Sequence, residues 1–320
     1  MSSFLVIGAG ISGLLIARLL HDAGRTVQVL EKGRGCGGRM ATRRAENGRF
    51  DHGAQYFTVR DSRLQTWTDT WLARGIARQW FETLEPDNEA SEAHPRYVGA
   101  NGISDIPKSI AEGVDLRTSS RAFRLDRKNE LWTVHTGDGV RHQADNLILT
   151  APVPQALDLL GDKTNEFLGE AENRLRAIRY AKSLAVLAVL DGPSGIPNQG
   201  ALPVGTAPLT WLGDNQLKGI SERPAITLHS DAAWAEKHWD SPDEIRVPPL
   251  LSAARPFLGS TILSWTCHRW GYAFPESTFG RPFFHNPSCR LTMAGDGFGG
   301  PRIEGAALSG IEAGNFLLQR

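Results

Sequence analysis

Gly8, Gly10 and Gly13 stand in the spacing Gly-x-Gly-x-x-Gly, and an acid, Glu31, follows them. Together these residues can hold two phosphates and a ribose. Gly8 permits a tight turn, Gly10 lets a pyrophosphate approach the backbone, and Gly13 lets a helix pack closely on a strand. The helix that follows offers the unpaired N–H groups of its first turn, at Ile11 and Ser12, and a positive dipole end to the phosphates. Glu31 sits where a carboxylate accepts hydrogen bonds from ribose hydroxyls. This chemistry needs particular elements around it, and they can be read on both sides of the turn. Phe4-Leu5-Val6-Ile7 reads as a buried parallel strand and residues 12–23 as a helix, with Leu15, Leu19 and Ala23 near one face and Arg18 and Asp22 on another. Gly24 ends the helix, and Thr26-Val27-Gln28-Val29-Leu30 makes a second strand leading to Glu31. Motif, strands, helix and acid together favour a dinucleotide site over a glycine-rich turn in an ordinary α/β unit.

The chain has 320 residues, with 35 Lys+Arg and 35 Asp+Glu. A formal net charge of zero gives no reason to expect nucleic acid or an anionic membrane as a partner. Locally the balance fails. Lys32, Arg34, Arg39, Arg43, Arg44 and Arg49 crowd beside the glycine turn, where they suit a bound anion better than a polynucleotide. Three widely spaced cysteines, Cys36, Cys267 and Cys289, fit neither a disulfide framework nor a zinc site, and no metal is expected. No apolar run approaches the ~18 residues of a membrane span. The first strand begins without a leader pattern, so a cytoplasmic protein is expected. The length suits two domains with a cleft between them.

After Glu31 the chain does not enter another helix, as NAD-dependent dehydrogenases normally do. Lys32-Gly33-Arg34-Gly35-Cys36-Gly37-Gly38-Arg39-Met40 is a basic glycine loop that brings further N–H groups and the Arg39 fork to the same pyrophosphate. This series resembles the FAD-dependent amine oxidases and their relatives, and within that superfamily the chain is similar to the renalases. The resemblance runs from end to end. It is carried by Gly38-Arg39-Met40, Asp51-His52-Gly53-Ala54-Gln55-Tyr56, Leu149-Thr150-Ala151-Pro152-Val153-Pro154 and Gly295-Asp296-Gly297-Phe298. On the substrate side it is carried by Leu228-His229-Ser230 and Cys267-His268-Arg269-Trp270-Gly271-Tyr272-Ala273.

The resemblance implies an α/β fold in which a discontinuous Rossmann-type FAD-binding domain joins a mixed β-sheet/helix substrate domain, a p-hydroxybenzoate-hydroxylase/amine-oxidase-like architecture. Residues 1–70, 96–155 and 286–320 are expected in the FAD-binding domain, and 71–95 and 156–285 in the substrate domain. By the same resemblance, Ala54 and Gln55 pass along the flavin ring, Ala122 lies in the adenine-side hairpin, and Ala151 ends the strand returning to the nucleotide. Asp296, after Gly295, is placed on the ribityl or pyrophosphate portion. Glu304, Gly305 and Ala306 open a helix whose N-terminus points at flavin O2. Cys289 precedes the closing strand and no comparable cysteine follows Gly295, so FAD is expected to be non-covalent.

Residues 114–116, 121–125 and 132–134 read as short strands of the hairpin, and 184–190, 225–229 and 260–265 as strands of the second domain. Residues 164–176 and 305–318 read as helices. A helix from Ser241 or Asp243 should stop at Pro248-Pro249. Residues 82–95, acidic with two prolines, read as an exposed loop, and Trp67, Trp71 and Trp80 as core packing.

A flavin carries the difficult step by accepting a hydride at N5. In the renalases, which this chain resembles, the donors are isomeric dihydronicotinamide dinucleotides carrying the hydride at C2 or C6. The products are NAD(P)+ and, with O2 as electron acceptor, hydrogen peroxide. No general base is needed, because the ring nitrogen's lone pair drives hydride departure. The candidates for the flavin and substrate face are Gln55, Tyr56, Arg60, His229, Trp270 and Tyr272. Trp270 and Tyr272 share one face if their segment is a strand, which would make a ring-sandwiching wall. Each has a plainer reading: a buried strand pair for Gln55 and Tyr56, surface charge for Arg60, core packing for the others. Lys182, at the start of an apolar strand, reads as structural. The alternatives are a flavin amine oxidase acting on a small amine or polyamine, and a flavin redox protein without turnover.

Overall fold

The computed structural model describes residues 2–45, 48–82 and 94–320, so residues 83–93 of the expected loop lie outside the described residues. A six-stranded sheet carries the glycine turn. Its strands lie in the order Phe283–Asn286, Leu291–Ala294, Asn146–Leu149, Ser3–Ile7, Thr26–Leu30 and Asp115–Arg117. All neighbours are parallel except the first pair. Both faces of the central strands are covered, which is why Phe4-Leu5-Val6-Ile7 and Leu147-Ile148-Leu149 are unbroken apolar runs. On one face Val6, Val29 and Ile148 pack with Leu14 of helix Ile11–Asp22 and Ile311 of helix Arg302–Leu318. On the other, Leu5, Leu147 and Leu291 pack with Trp132 and Leu157. The two helices touch through glycine. A Cβ on Gly310 would lie 2.6 Å from the Ser12 carbonyl oxygen, and one on Gly314 2.7 Å from Leu19.

The second sheet is antiparallel, with strands in the order Ala201–Pro203, Leu209–Asp214, Ala225–Ser230, Tyr180–Leu190 and Ile262–Pro275. One face buries Leu184, Val186 and Leu228 against Ala235, Val247 and Leu250 of two helices. The opposite face meets the first domain, where Leu187, Val189 and Ala225 pack on Phe50. Register sets Trp211, His229, Ala185 and His268 in one row across that face.

The structure differs from the sequence expectations at several places. Residues 156–178 pack with the nucleotide sheet, not the second domain: Leu157, Phe167 and Leu175 share a core with Leu5 and Leu147. Trp71 and Ala77 belong to the first core, and strand Phe283–Asn286 extends the first sheet beyond the expected boundary at 286. The helix expected over 164–176 is broken into Thr164–Leu168 and Glu172–Arg176, because Gly169 takes φ +52. Helix Asp243–Ala254 runs through Pro248 and Pro249. The carbonyls these prolines leave unpaired belong to Glu244 and Ile245, which are exposed to water, while Val247 and Leu250 anchor the helix in the core. No described helix is long and apolar enough to cross a membrane.

Candidate functional site

The glycine turn separates two demands. Gly8 has φ +111, and a Cβ there would lie 2.7 Å from Thr150 Oγ1. A Cβ on Gly13 would lie 2.1 Å from the Gly8 oxygen. Both are required by the chain's own packing. Gly10 is not: its φ is −74, and nothing lies within 4 Å of the Cβ position. That open space faces the start of helix Ile11–Asp22, which no side chain caps, so the N–H groups of Ile11 and Ser12 are available to an anion. Glu31 is buried and oriented: Oε2 accepts the Ala9 N–H at 2.9 Å and Oε1 the Gly33 N–H at 2.7 Å. Each oxygen keeps acceptor capacity for a hydroxyl. The Gly37 N–H bonds the Ala9 oxygen at 2.7 Å, tying the second glycine loop to the first and bringing exposed Gly38, φ +55, beside Gly10. Met40 is buried behind it. Ser120 N–H bonds the Glu31 oxygen at 2.8 Å, which places the segment leading into Ala122 alongside. Ala151 follows Thr150, whose hydroxyl donates to the Gly8 oxygen at 3.0 Å. Lys32 is exposed and donates to Gln155.

At the other end, Arg39 and Asp296 meet. Nη2 donates to Oδ1 at 2.9 Å and Nη1 to Oδ2, and Nη1 also reaches the carbonyls of Tyr272 and Ala273 at 3.2 and 3.3 Å. The sequence reading set Arg39 alone on a pyrophosphate; here its fork closes on Asp296, since opposite charges in a half-buried crossing find each other. Tyr180 adds its hydroxyl to Asp296 Oδ1 at 3.2 Å, and burial together with that carboxylate raises its pKa. The last helix begins at Arg302, so Glu304, Gly305 and Ala306 form its first turn. A Cβ on Gly305 would lie 2.4 Å from the Gly300 oxygen. Ser12 Oγ donates to the Ala306 oxygen, bringing the two helix N-termini side by side. Gly295, φ +137, donates its N–H to Ser309 at 2.8 Å. Glu304 Oε1 accepts the N–H groups of Arg60 and Asp61 at 2.6 and 2.9 Å, securing the loop before helix Ser62–Ala73. Arg60 itself is exposed, its guanidinium 3.4 Å from Thr58 Oγ1.

Between the domains lies a cluster of imidazoles. The Ala54 N–H bonds the Arg39 oxygen at 2.9 Å, and a Cβ on Gly53 would lie 2.1 Å from the same oxygen. The His52 carbonyl accepts from His229 Nε2 at 3.1 Å and Trp270 Nε1 at 2.8 Å. The His52 and His268 rings stand 4.9 Å apart, and His268 and Trp270 4.4 Å. His268, Trp270 and Tyr272 stand at alternate positions of strand Ile262–Pro275, but the pairing of that strand with Tyr180–Leu190 is irregular between Trp270 and Phe274, so alternation alone does not set Trp270 and Tyr272 on one face. They do not sandwich one space: Trp270 packs on His52 at 5.1 Å, and Tyr272 stands edge-on to Tyr180 at 5.7 Å. Burial, aided by the nearby His268, pushes His52 down to about 3, and burial pushes His229 down to about 4. His52 Nδ1 and Trp211 Nε1 are buried with no hydrogen-bond partner among the described residues.

The depressed His52 makes stability depend on pH. A group at about 3 in the fold and at 6.5 when free takes up its proton first in the unfolded chain. Its contribution is therefore complete above pH 6.5 and is lost as pH falls towards 3, at about 1.4 kcal/mol per pH unit. Urea midpoints at several pH values between 7.5 and 5 should show the decline, and His52→Asn should make it shallower. An equally steep decline in the variant would assign the proton uptake to other groups.

Gln55 is buried and turns onto its own segment. Its Nε2 donates to the Asp51 and Gly53 carbonyls at 2.5 and 3.2 Å, and its Oε1 accepts from Lys218 Nζ at 3.2 Å. Tyr56 packs on Phe81 and Trp211 at 6.0 and 5.7 Å. Lys218, which the sequence reading passed over, is fully buried, 3.3 Å from Asp51 Oδ2 and 4.5 Å over the Trp80 ring. Burial lowers its pKa against the pull of Asp51. Asp51 also accepts from Thr42 and from the Ile103 N–H. Tyr180 was missed as well, standing at the head of an apolar strand that gives no sign of it.

The cradle at Gly10, the uncapped first turn, the oriented Glu31 and the unpartnered His52 Nδ1 fit a dinucleotide flavin. Comparison with known proteins agrees. Residues 6–70 match the NAD(P)-binding Rossmann-like domain, and residues 80–315 match the flavin containing amine oxidoreductases. Renalase from Mus musculus is 26% identical over 97% of this chain and 97% of its own. Cyclohexylamine oxidase from Brevibacterium oxydans shares the fold with a TM-score of 0.74 at 13% identity, covering 99% of both chains. A putrescine oxidase bound to putrescine does so with a TM-score of 0.72 at 14% identity, covering 100% of this chain and 99% of that one. The fold class is thus the one expected, the cofactor is a flavin, FAD, and the chain belongs to the flavin-containing amine oxidoreductase family.

Proposed function

We propose that the protein is an oxidase with non-covalent FAD that oxidises 2- or 6-dihydro-NAD(P) to NAD(P)+ and passes the electrons to O2, giving hydrogen peroxide. When bound, FAD supplies the hydride acceptor and the route to O2. Gly10, Ile11, Ser12, Glu31, Gly38, Arg39, Asp296, Gly305 and Ala306 are the residues that would hold it. The observation that carries the reading is the character of the inter-domain face. Burial holds the imidazoles of that face, His52 and His229, well below the usual histidine range, so they are weak bases. A dihydropyridine asks for no base. It does carry a carboxamide, to which His52 Nδ1 offers an acceptor and Trp211 Nε1 a donor, both buried and unpartnered. His229 is held by the His52 carbonyl, which fixes the orientation of its ring. The full-length similarity to renalase supports the same substrate class. One feature favours the amine oxidase alternative: the edge-on Tyr180–Tyr272 pair makes an aromatic wall suited to an amine.

The test is anaerobic mixing of the yellow protein with borohydride-reduced NAD, which contains the 2-, 4- and 6-dihydro isomers, followed at about 450 nm, the flavin's own absorbance. Bleaching by the mixture and not by pure 4-dihydro NADH is expected. His229→Ala should lower kcat/KM for the mixture about tenfold. Bleaching by putrescine or cyclohexylamine alone would move the protein to the amine oxidases. Bleaching by none would leave a flavin protein without turnover of these substrates.

A further inference from the structure

A cavity of about 850 Å³ opens along strand Phe283–Asn286, at the edge of the nucleotide sheet. It shares no lining residue with the glycine cradle or with Arg39 and Asp296. Its walls are aromatic: Phe279, Phe283, Phe284 and Phe316, of which the last three are half-buried. Phe283 and Phe316 pack at 5.0 Å, and Phe279 and Phe284 at 6.2 Å. Cations rim these rings. The Arg174 guanidinium lies 4.6 Å over the Phe279 ring and donates to the Phe279 carbonyl at 2.6 Å, so it is held in place before any ligand arrives. Arg320 lies 4.8 Å over Phe316. Arg281 is exposed and has no ion-pair or hydrogen-bond partner among the described residues. Against these three cations Glu170 is the one acidic side chain in the lining among the described residues.

Sites for small molecules commonly have volumes of about 300–1,000 Å³, and this open cavity falls in that range with aromatic walls and a cationic rim. Aromatic faces recognise a flat ring, and arginine forks recognise phosphate or carboxylate oxygens. We propose that the cavity is a second ligand site, separate from the flavin, for an aromatic ring that carries a phosphate or carboxylate group. The ring lies against the phenylalanines, and the anionic group meets Arg281 and Arg174.

Calorimetric titration of the FAD-saturated protein tests this with ADP, 2-naphthoate, adenosine and inorganic phosphate. ADP or 2-naphthoate should bind with a Kd below about 1 mM, while adenosine and phosphate alone bind at least about tenfold more weakly. Tighter binding of ADP would identify a phosphate ester as the ligand; tighter binding of 2-naphthoate would identify a carboxylate. Arg174→Gln with Arg281→Gln should weaken the better ligand at least about tenfold without changing flavin content. Arg281→Gln alone, at an exposed position, keeps the test open if the double variant fails to fold, and should weaken it at least about threefold. Failure of both ring-bearing anions to bind, or binding that Arg281→Gln leaves unchanged, overturns the proposal.

Discussion

Gly13→Ala should fold poorly and carry no flavin, whereas Gly10→Ala should fold as well as the parent and still lose its flavin. At Gly13 the new methyl would sit 2.1 Å from the Gly8 oxygen and 2.6 Å from Thr150 Oγ1. Neither neighbour can withdraw freely. Thr150 is bonded through its N–H to the Ile7 oxygen at 2.9 Å, and its hydroxyl is engaged with Gly8. Overpacking of this kind costs about 1–3 kcal/mol, and more where backbone must move. At Gly10 the dihedrals suit any residue and the methyl meets no protein atom, so the cost to the fold is nil. Restricting the unfolded chain even contributes about 0.4–1 kcal/mol of stability. What the methyl does occupy is the approach to the helix N-terminus, and FAD affinity should fall about a hundredfold or more, ~3 kcal/mol. Flavin absorbance per mole after desalting and the thermal midpoint of the flavin-free protein separate the two outcomes. A Gly10→Ala protein that retains its full flavin would remove the pyrophosphate from this loop.

The difference between those two glycines also marks what could be read in advance. The nucleotide end was legible because its logic is local: strand, turn, helix, strand and acid follow one another in sequence, each with its own backbone requirement. The partner of Arg39 was not, because Asp296 lies 257 residues away and only the folded crossing brings the charges together. Gln55 stands in an irregular stretch where no period sets side-chain direction, so its inward turn onto Asp51 and Lys218 had no signal. Trp270 and Tyr272 were placed on one face by strand alternation alone; that Trp270 packs on His52 and Tyr272 on Tyr180 depends on neighbours elsewhere in the chain. Pro248-Pro249 misled for a related reason. They leave the carbonyls of two exposed residues, Glu244 and Ile245, without a helical donor, and that cost is offset by the core contacts of Val247 and Leu250.

Lys218 is the extreme case of a tertiary property hidden in a polar turn, and its removal should be among the costliest single changes. In Gln216-Leu217-Lys218-Gly219 a lysine reads as solvated, yet its ammonium is fully buried between Asp51, Gln55 and the Trp80 ring. Lys218→Met keeps the length and removes the charge. Among the described residues Asp51, equally buried, would then keep the Thr42 hydroxyl and the Ile103 N–H as donors to its carboxylate, with Arg78 the nearby cation. Breaking one side of a buried pair costs about 3–5 kcal/mol, chiefly because the other charge is left uncompensated. The loss should be smaller in Lys218→Met with Asp51→Asn, where no charge remains buried, and the coupling between the two changes measures the pair. Because Gln55 and Asp51 lie on the segment that carries His52, the single variant should also loosen the imidazole cluster, visible as a change in tryptophan fluorescence near Trp270. Urea unfolding at pH 7.5 reads the stability directly. A Lys218→Met loss below about 1 kcal/mol would put the pair in the class of exposed ion pairs and refute its role in holding the segment from Asp51 to Gln55.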